Sequence, residues 1–119
     1  MAEKMADISI SSKAKAVADR LVDEGYFSTR ASAAIFAAAY ILRNQFDSFD
    51  PSTYIVSDGD GLNNAYGSFD RDGKCEQLLS NLYQTDTPRT YLRNLMVYGL
   101  EYIGDMINKT GRIQISDFI

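Results

Sequence analysis

The sequence contains no histidine, no tryptophan and only one cysteine. Without histidine, one chain cannot form a Ser-His-Asp triad, a Cys-His pair or a zinc site of the Cys and His type. The single cysteine, Cys75, has no partner for an internal disulfide bond, so nothing in the sequence indicates an oxidising compartment. We therefore predict no catalytic residues, no metal site and no cofactor.

Long apolar runs are also missing. The longest, residues 33–42, has ten residues, whereas a membrane-spanning helix needs roughly 20. Residues 1–11 lack the apolar stretch of a signal peptide. We therefore expect a soluble, cytoplasmic protein without a membrane partner.

Basic residues are outnumbered by acidic ones, twelve against sixteen, so the formal net charge is −4. Residues 1–45 carry six basic and five acidic side chains, whereas residues 46–119 carry six and eleven. A bound polyanion would favour the N-terminal part, and the acidic remainder would oppose it. We therefore expect any binding of nucleic acid to be weak.

What the sequence does contain is helical periodicity. Apolar residues at helical spacing predict helices over residues 12–24, 29–45, 73–84 and 88–109. Ser28 and Thr87-Pro88 are typical of helix starts, and Gly25 and Gly111 of helix ends. In the second helix, residues 31–42 are apolar except for Ser32, so we predict that this Ala-rich helix is the centre of the core.

The fold predicted from these patterns is a single, mostly α domain over residues 1–119. The four helices are arranged around one of their number, the buried Ala-rich helix, and two or three short β-strands complete the fold. Alternation predicts strands over residues 7–11 and 112–116, which pair with each other or across a dimer, and a strand-like piece over 53–56. Residues 46–73 form a long acidic loop, and residues 73–109 hold the C-terminal helices.

Two Asp-x-Asp-Gly strings lie in or beside that loop. Asp58-Gly59-Asp60 resembles the start of the motif of haloacid-dehalogenase-type phosphatases, but a small helical chain lacks the parallel sheet of that family, so we predict a turn. Asp70-Arg71-Asp72-Gly73 lacks the further ligands of a calcium loop. Asp70 or Asp72 is expected to cap the third helix. Cys75 is expected to face the core with Leu78, Leu79 and Leu82.

Short strands need partners, and the last helix carries more large apolar groups than one small core requires. We therefore expect a homodimer and, in addition, a protein partner. The predicted interface residues are Ile8, Ile10, Tyr91, Met96, Tyr98 and Tyr102.

Residues 7–44 resemble the ribbon-helix-helix DNA-binding motif: an alternating strand, a serine cap, an amphipathic helix ending at Gly25, and a second helix entered through Ser28-Thr29-Arg30. In that family, paired strands of two chains enter the major groove, and the second helix holds a phosphate at its N-terminus. The resemblance, with the neighbouring lysines, implies DNA contacts by Ser9, Ser11, Lys13, Lys15, Ser28, Thr29 and Arg30. An ordinary helical hairpin fits the same residues.

A looser resemblance covers more of the chain. The element order, with Phe27-Ser28-Thr29, Ser68-Phe69-Asp70 and residues 96–103, is similar to small accessory proteins encoded beside DNA-phosphorothioation and related phage-defence systems. It implies a non-enzymatic accessory or protein-interaction module of a bacterial or phage DNA-related system. The alternative is a ribbon-helix-helix-type transcriptional regulator, and an Asp-dependent phosphatase is a distant third.

Overall fold

The structure is a computed structural model, and it describes residues 7–56 and 62–111, with residues 62–64 described by their backbone. Within these ranges the elements are β1 (Asp7–Ile10), α1 (Ser12–Asp23), α2 (Arg30–Gln45), β2 (Leu62–Ala65), α3 (Lys74–Tyr83) and α4 (Pro88–Thr110). The protein is mostly helical, and the ends of all four predicted helices are confirmed to within one residue. None of the described helices combines the length and the hydropathy that a membrane crossing requires.

Local hydrogen bonds and backbone geometry explain where the helices begin and end. The Ser11 hydroxyl accepts the Ala14 N–H at 3.0 Å and so caps α1. Thr29, not the predicted Ser28, caps α2 by accepting the Ser32 N–H at 3.1 Å. Gly111 ends α4 with a φ of +78°, and its N–H reaches the Ile107 carbonyl at 2.8 Å.

The centre of the core is α4, and this corrects the prediction that α2 is buried on all sides. Eleven residues of α4 are buried, against five of α2. Helix α4 packs against α1, α2, α3 and β1. Helix α2 turns one side to α4 and α1, so Ala39 remains exposed and Ile35 and Leu42 are only half-buried. Apolar composition alone therefore overstated the burial of α2.

Helices α2 and α4 approach each other closely at Gly99. A Cβ atom at this position would stand 2.5 Å from the Ala37 carbonyl oxygen and 2.8 Å from its carbonyl carbon. Both atoms belong to the backbone of α2, so no side-chain rearrangement relieves the contact. Glycine is therefore required here by the spacing of the two helices.

Strand β1 pairs antiparallel with β2 of the same chain, with Asp7 opposite Ala65 and Ile10 opposite Leu62. The predicted partner, residues 112–116, lies outside the described residues. Strand β2 falls within the predicted loop, and residues 53–56 form no strand. The pairing of Asn63 and Asn64, residues typical of turns, depends on a strand more than fifty residues away, which a local pattern does not reveal.

The first part of the predicted surface loop, residues 46–56, packs onto α4. Pro51 is buried, and its carbonyl accepts a hydrogen bond of 2.7 Å from the buried Asn94 amide. The Phe49 ring stacks on Tyr98 with 4.0 Å between ring centroids, and Tyr54 meets both rings edge-on. This segment therefore covers one side of α4.

Candidate functional site

The three cations predicted to contact DNA each meet a carboxylate of the chain itself. Lys13 lies 2.7 Å from Asp105, and this hydrogen bond raises the pKa of Lys13. Lys15 lies 2.8 Å from Asp19, which also pairs with Arg30. Burial acts to raise the pKa of Asp19, but the hydrogen bonds from Lys15 and Arg30 outweigh it, so the pKa is lowered. These cations form a surface ion-pair network.

The hydroxyl groups predicted to contact DNA differ in their burial and in their hydrogen-bond partners. Ser11 is fully buried and donates to Glu101 Oε2 at 2.6 Å, so its hydroxyl serves the packing of α1 against α4. Thr29 caps α2 and donates to the Ser32 hydroxyl at 2.9 Å. Ser9 is half-buried, and Ser28 is exposed. Of these four hydroxyls, only those of Thr29 and Ser28 therefore lie at an exposed position.

The residues predicted to form a dimer interface are used by the fold of a single chain. Ile8, Ile10 and Met96 are exposed by at most 1%. Tyr98 is half-buried under Phe49, and its hydroxyl donates to Gln45 Oε1 at 2.9 Å. The remaining two tyrosines are half-buried in ring contacts, Tyr91 with Tyr83 and Tyr102 with Tyr40 and Tyr98. Tyr98 is thus covered by Phe49 and Tyr54 of the segment 46–56, and the other five predicted interface residues are packed in or against the core of the same chain.

The most buried charge of the described residues is Asp70, 5% exposed, at the start of α3. Its carboxylate accepts the Tyr66 hydroxyl at 2.6 Å and the N–H groups of Cys75 and Glu76 at 3.0 and 2.9 Å. Burial acts to raise the pKa of Asp70, but these hydrogen bonds lower it. The N-cap residue of α3 is Gly73, not the predicted Asp70 or Asp72. Both carboxylates nevertheless accept N–H groups of the first turn, Asp70 those of Cys75 and Glu76 and Asp72 that of Lys74.

The residues around Asp70 form a structural anchor. Burial and the hydrogen bond to Asp70 raise the pKa of Tyr66. Arg89 lies 4.1 Å from the centroid of the Tyr66 ring and pairs with Glu76 at 3.2 Å. Burial, followed by the charge of Asp70, also raises the pKa of the Cys75 thiol. A raised pKa disfavours the thiolate, so this environment does not activate Cys75 as a nucleophile.

Within residues 7–56 and 62–111, no group of three or more Cys, Asp or Glu side chains is arranged to hold a metal ion. Asp58 and Asp60, the pair with the phosphatase-like spacing, lie outside the described residues.

An apolar surface of the described chain lies between α2 and α3. Leu78 and Leu82, predicted to face the core, are 55% and 45% exposed, because α3 contacts the core chiefly through Leu79. Beside them lies a groove of about 100 Å³ with an almost wholly apolar lining. We call it the α2–α3 groove, and it is lined by Ile35, Ala38, Ala39, Leu42, Cys75, Leu78, Leu79 and Leu92.

Phe46 extends this apolar surface beyond the end of α2. Its ring is 38% exposed and lies 5.2 Å from the Tyr83 ring of α3. The sequence does not distinguish this surface from a core, since an apolar helix face shows the same spacing whether it meets a core or a partner.

Comparisons of the chain with protein-family models, with curated proteins and with solved structures find no match. The functional assignment therefore depends on the geometry of the chain itself.

Proposed function

We propose that this chain is a non-enzymatic protein-interaction module and that the α2–α3 groove is its contact surface. The observation that supports this most is the pair of leucines on α3, 55% and 45% exposed beside an apolar groove. Contiguous exposed apolar surface is typical of protein-binding sites. The role agrees with the accessory function in a bacterial or phage DNA-related system that the looser resemblance implies.

The polar clusters support this proposal indirectly. The Asp70 anchor and the ion pairs of Lys13, Lys15 and Arg30 are engaged within the chain. A partner that binds these groups would first have to break their ion pairs and hydrogen bonds within the chain. A partner that binds the apolar groove has no such contacts to replace. The apolar surface therefore binds at lower cost.

A ribbon-helix-helix-type DNA-binding regulator is the second candidate, and the order β1–α1–α2 favours it. We place it second because the three cations are paired and the net charge of −4 opposes a polyanion. An anisotropy titration with duplex DNA at low salt tests it. Binding that Arg30→Ala weakens would support the regulator, and no binding would remove it.

The interaction function is tested by a photo-crosslinking amino acid placed at position 82, at the edge of the groove, in the cell that makes the protein. A matched chain carries the same group at Asp23, an exposed position at the end of α1. We expect a crosslinked product of discrete mass from position 82 and none from position 23. No product from position 82, or equal products from both positions, would contradict the proposal.

A further inference from the structure

We infer that the occupant of the α2–α3 groove is a second copy of this chain, an inference that rests on the proposed function of the groove. The surface carries both a hole and a knob. The hole is the α2–α3 groove itself, to which α3 contributes Cys75, Leu78 and Leu79. The knob is Leu82, which is 45% exposed and lies one turn of α3 beyond Leu78, outside the lining.

The sizes of knob and hole agree. A closed apolar cavity of about 150 Å³ accepts a benzene molecule. The groove, at about 100 Å³, is therefore suited to one branched aliphatic side chain. A surface that carries a fitting knob beside its hole can pair with itself about a two-fold axis, because each copy then inserts its knob into the hole of the other.

The positions of the knob and the hole along α3 fix the orientation of the two copies. The hole takes its α3 lining, Cys75, Leu78 and Leu79, from the first six residues of the helix, whereas Leu82 lies in the last turn. Both knobs can enter both holes only if the two α3 helices run antiparallel. The hole end of each helix then faces the knob end of the other.

One pair of opposite charges, Lys74 and Asp47, is complementary in this antiparallel arrangement, while Asp72 beside Lys74 and the exposed Arg43 near the end of α2 carry the reverse signs. Lys74 stands at the hole end, with a side chain 83% exposed that approaches Asp72 no closer than 3.9 Å. Asp47 is exposed at the knob end, next to Phe46, whose ring contacts Tyr83. Antiparallel pairing brings Lys74 of each copy toward Asp47 of its partner. A parallel arrangement would set like charges against each other.

Sedimentation equilibrium of the purified full chain tests the inference. At tens of micromolar we expect a species of twice the 13.3 kDa chain mass. Leu82→Asp should raise the dimer dissociation constant by at least about tenfold. The control Asn81→Asp adds the same charge at the neighbouring exposed position and should leave the constant unchanged.

A second test exchanges the charges of Lys74 and Asp47, so that it does not depend on whether the Leu82→Asp variant folds. Lys74→Glu should weaken the dimer, and Lys74→Glu combined with Asp47→Lys should restore it, because both positions are exposed and the pair is re-formed with its signs reversed. Rescue by the double variant supports the antiparallel dimer.

Two results would overturn the inference. One is a wild-type chain that sediments as a monomer, and the other is a dimer that neither Leu82→Asp nor the charge exchange affects. A monomeric chain that still yields a crosslinked product with another protein from position 82 would overturn this inference and leave the proposed function standing. Absence of any product from position 82 would remove both.

Discussion

Helices α3 and α4 are both rich in leucine and apolar at helical spacing, yet they differ in how they are held. Helix α4 buries eleven of its 23 residues and contacts each of the other three helices. Helix α3 buries only Leu79 of its ten residues and packs chiefly on α4. The same sequence pattern therefore marks the core in one helix and an open binding surface in the other, and neighbouring elements decide which.

The largest expected effect contrasts one leucine from each helix. Leu95→Ala in α4, where Leu95 is fully buried, should reduce the free energy of unfolding by about 3 kcal/mol, because it leaves a cavity. Leu78→Ala in α3, where more than half of the side chain is exposed, should cost less than about 1 kcal/mol. Urea denaturation of both variants at low protein concentration measures the difference. Equal losses would break the contrast between the helices.

The next effect tests how tightly α4 is packed on α2. Gly99→Ala should destabilise the chain by about 2 kcal/mol, because the added methyl group meets the Ala37 backbone. Gly67→Ala serves as the control, since no atom lies within 4 Å of a Cβ at that position, and it should shift stability by less than about 0.5 kcal/mol. Thermal unfolding followed by circular dichroism separates the two; a Gly99→Ala protein as stable as the control would contradict the close approach.

Helix α3 is held at its N-terminus by Asp70 instead of by burial along its length. Asp70→Asn should cost about 1.5 kcal/mol, because a carboxylate that accepts three hydrogen bonds is replaced by an amide that also donates. Asp72→Asn, at an exposed carboxylate that accepts the Lys74 N–H at 3.2 Å, should cost less than about 0.5 kcal/mol. Chemical denaturation near neutral pH compares the two variants. A larger loss of unfolding free energy from Asp72→Asn than from Asp70→Asn would contradict the role of Asp70 at the start of α3.

The same anchor predicts a dependence on acid. The pKa of Asp70 is lower in the folded chain than in the unfolded chain. Its stabilising contribution is therefore complete above the unfolded pKa of about 3.9 and is lost as the pH falls through the folded value. Unfolding measured from pH 6 downward, in steps to about pH 2, should show a smaller decline for Asp70→Asn than for the wild type. Parallel declines would contradict the role of Asp70.

The smallest effect concerns the start of α2, which is capped by the adjacent residue Thr29. Helix α3 is held instead by Asp70, four residues before its first residue. Thr29→Ala should cost about 1 kcal/mol, because the Ser32 N–H loses its acceptor. Ser28→Ala, at the cap predicted from sequence, should change stability by less than about 0.5 kcal/mol. Thermal melts of the two variants decide between the observed and the predicted cap.

Local patterns were sufficient to predict the helices, because capping residues and helical periodicity are encoded within a few neighbouring positions. Thr87-Pro88 and Gly111 mark the ends of α4 in the sequence and in the structure. Contacts between distant parts of the chain were not predictable in this way. Strand β2 at Asn63-Asn64, the packing of Phe49 on Tyr98 and the exposure of Leu78 all depend on elements far away in sequence.

The candidate site could not be predicted from the sequence either, because it also depends on contacts between distant parts of the chain. Cys75, Leu78 and Leu82 were predicted to face the core, and their spacing is equally compatible with a core and with an interface. Lys13, Lys15 and Arg30 were predicted as DNA contacts from the ribbon-helix-helix resemblance. Their carboxylate partners come from other turns or other helices, so the pairing is seen only in the fold. Only the fold shows which apolar face is uncovered and which charges are paired.

The central claim, that the open face of α3 is covered by a second copy, is tested most directly at Cys75, a half-buried thiol in the lining of the groove. The measurement is the rate of Cys75 alkylation by a maleimide at fixed reagent concentration and increasing protein concentration. We predict that the rate falls as the protein concentration rises, and that Leu82→Asp abolishes the fall. A rate independent of protein concentration up to the highest concentration reached would contradict the claim.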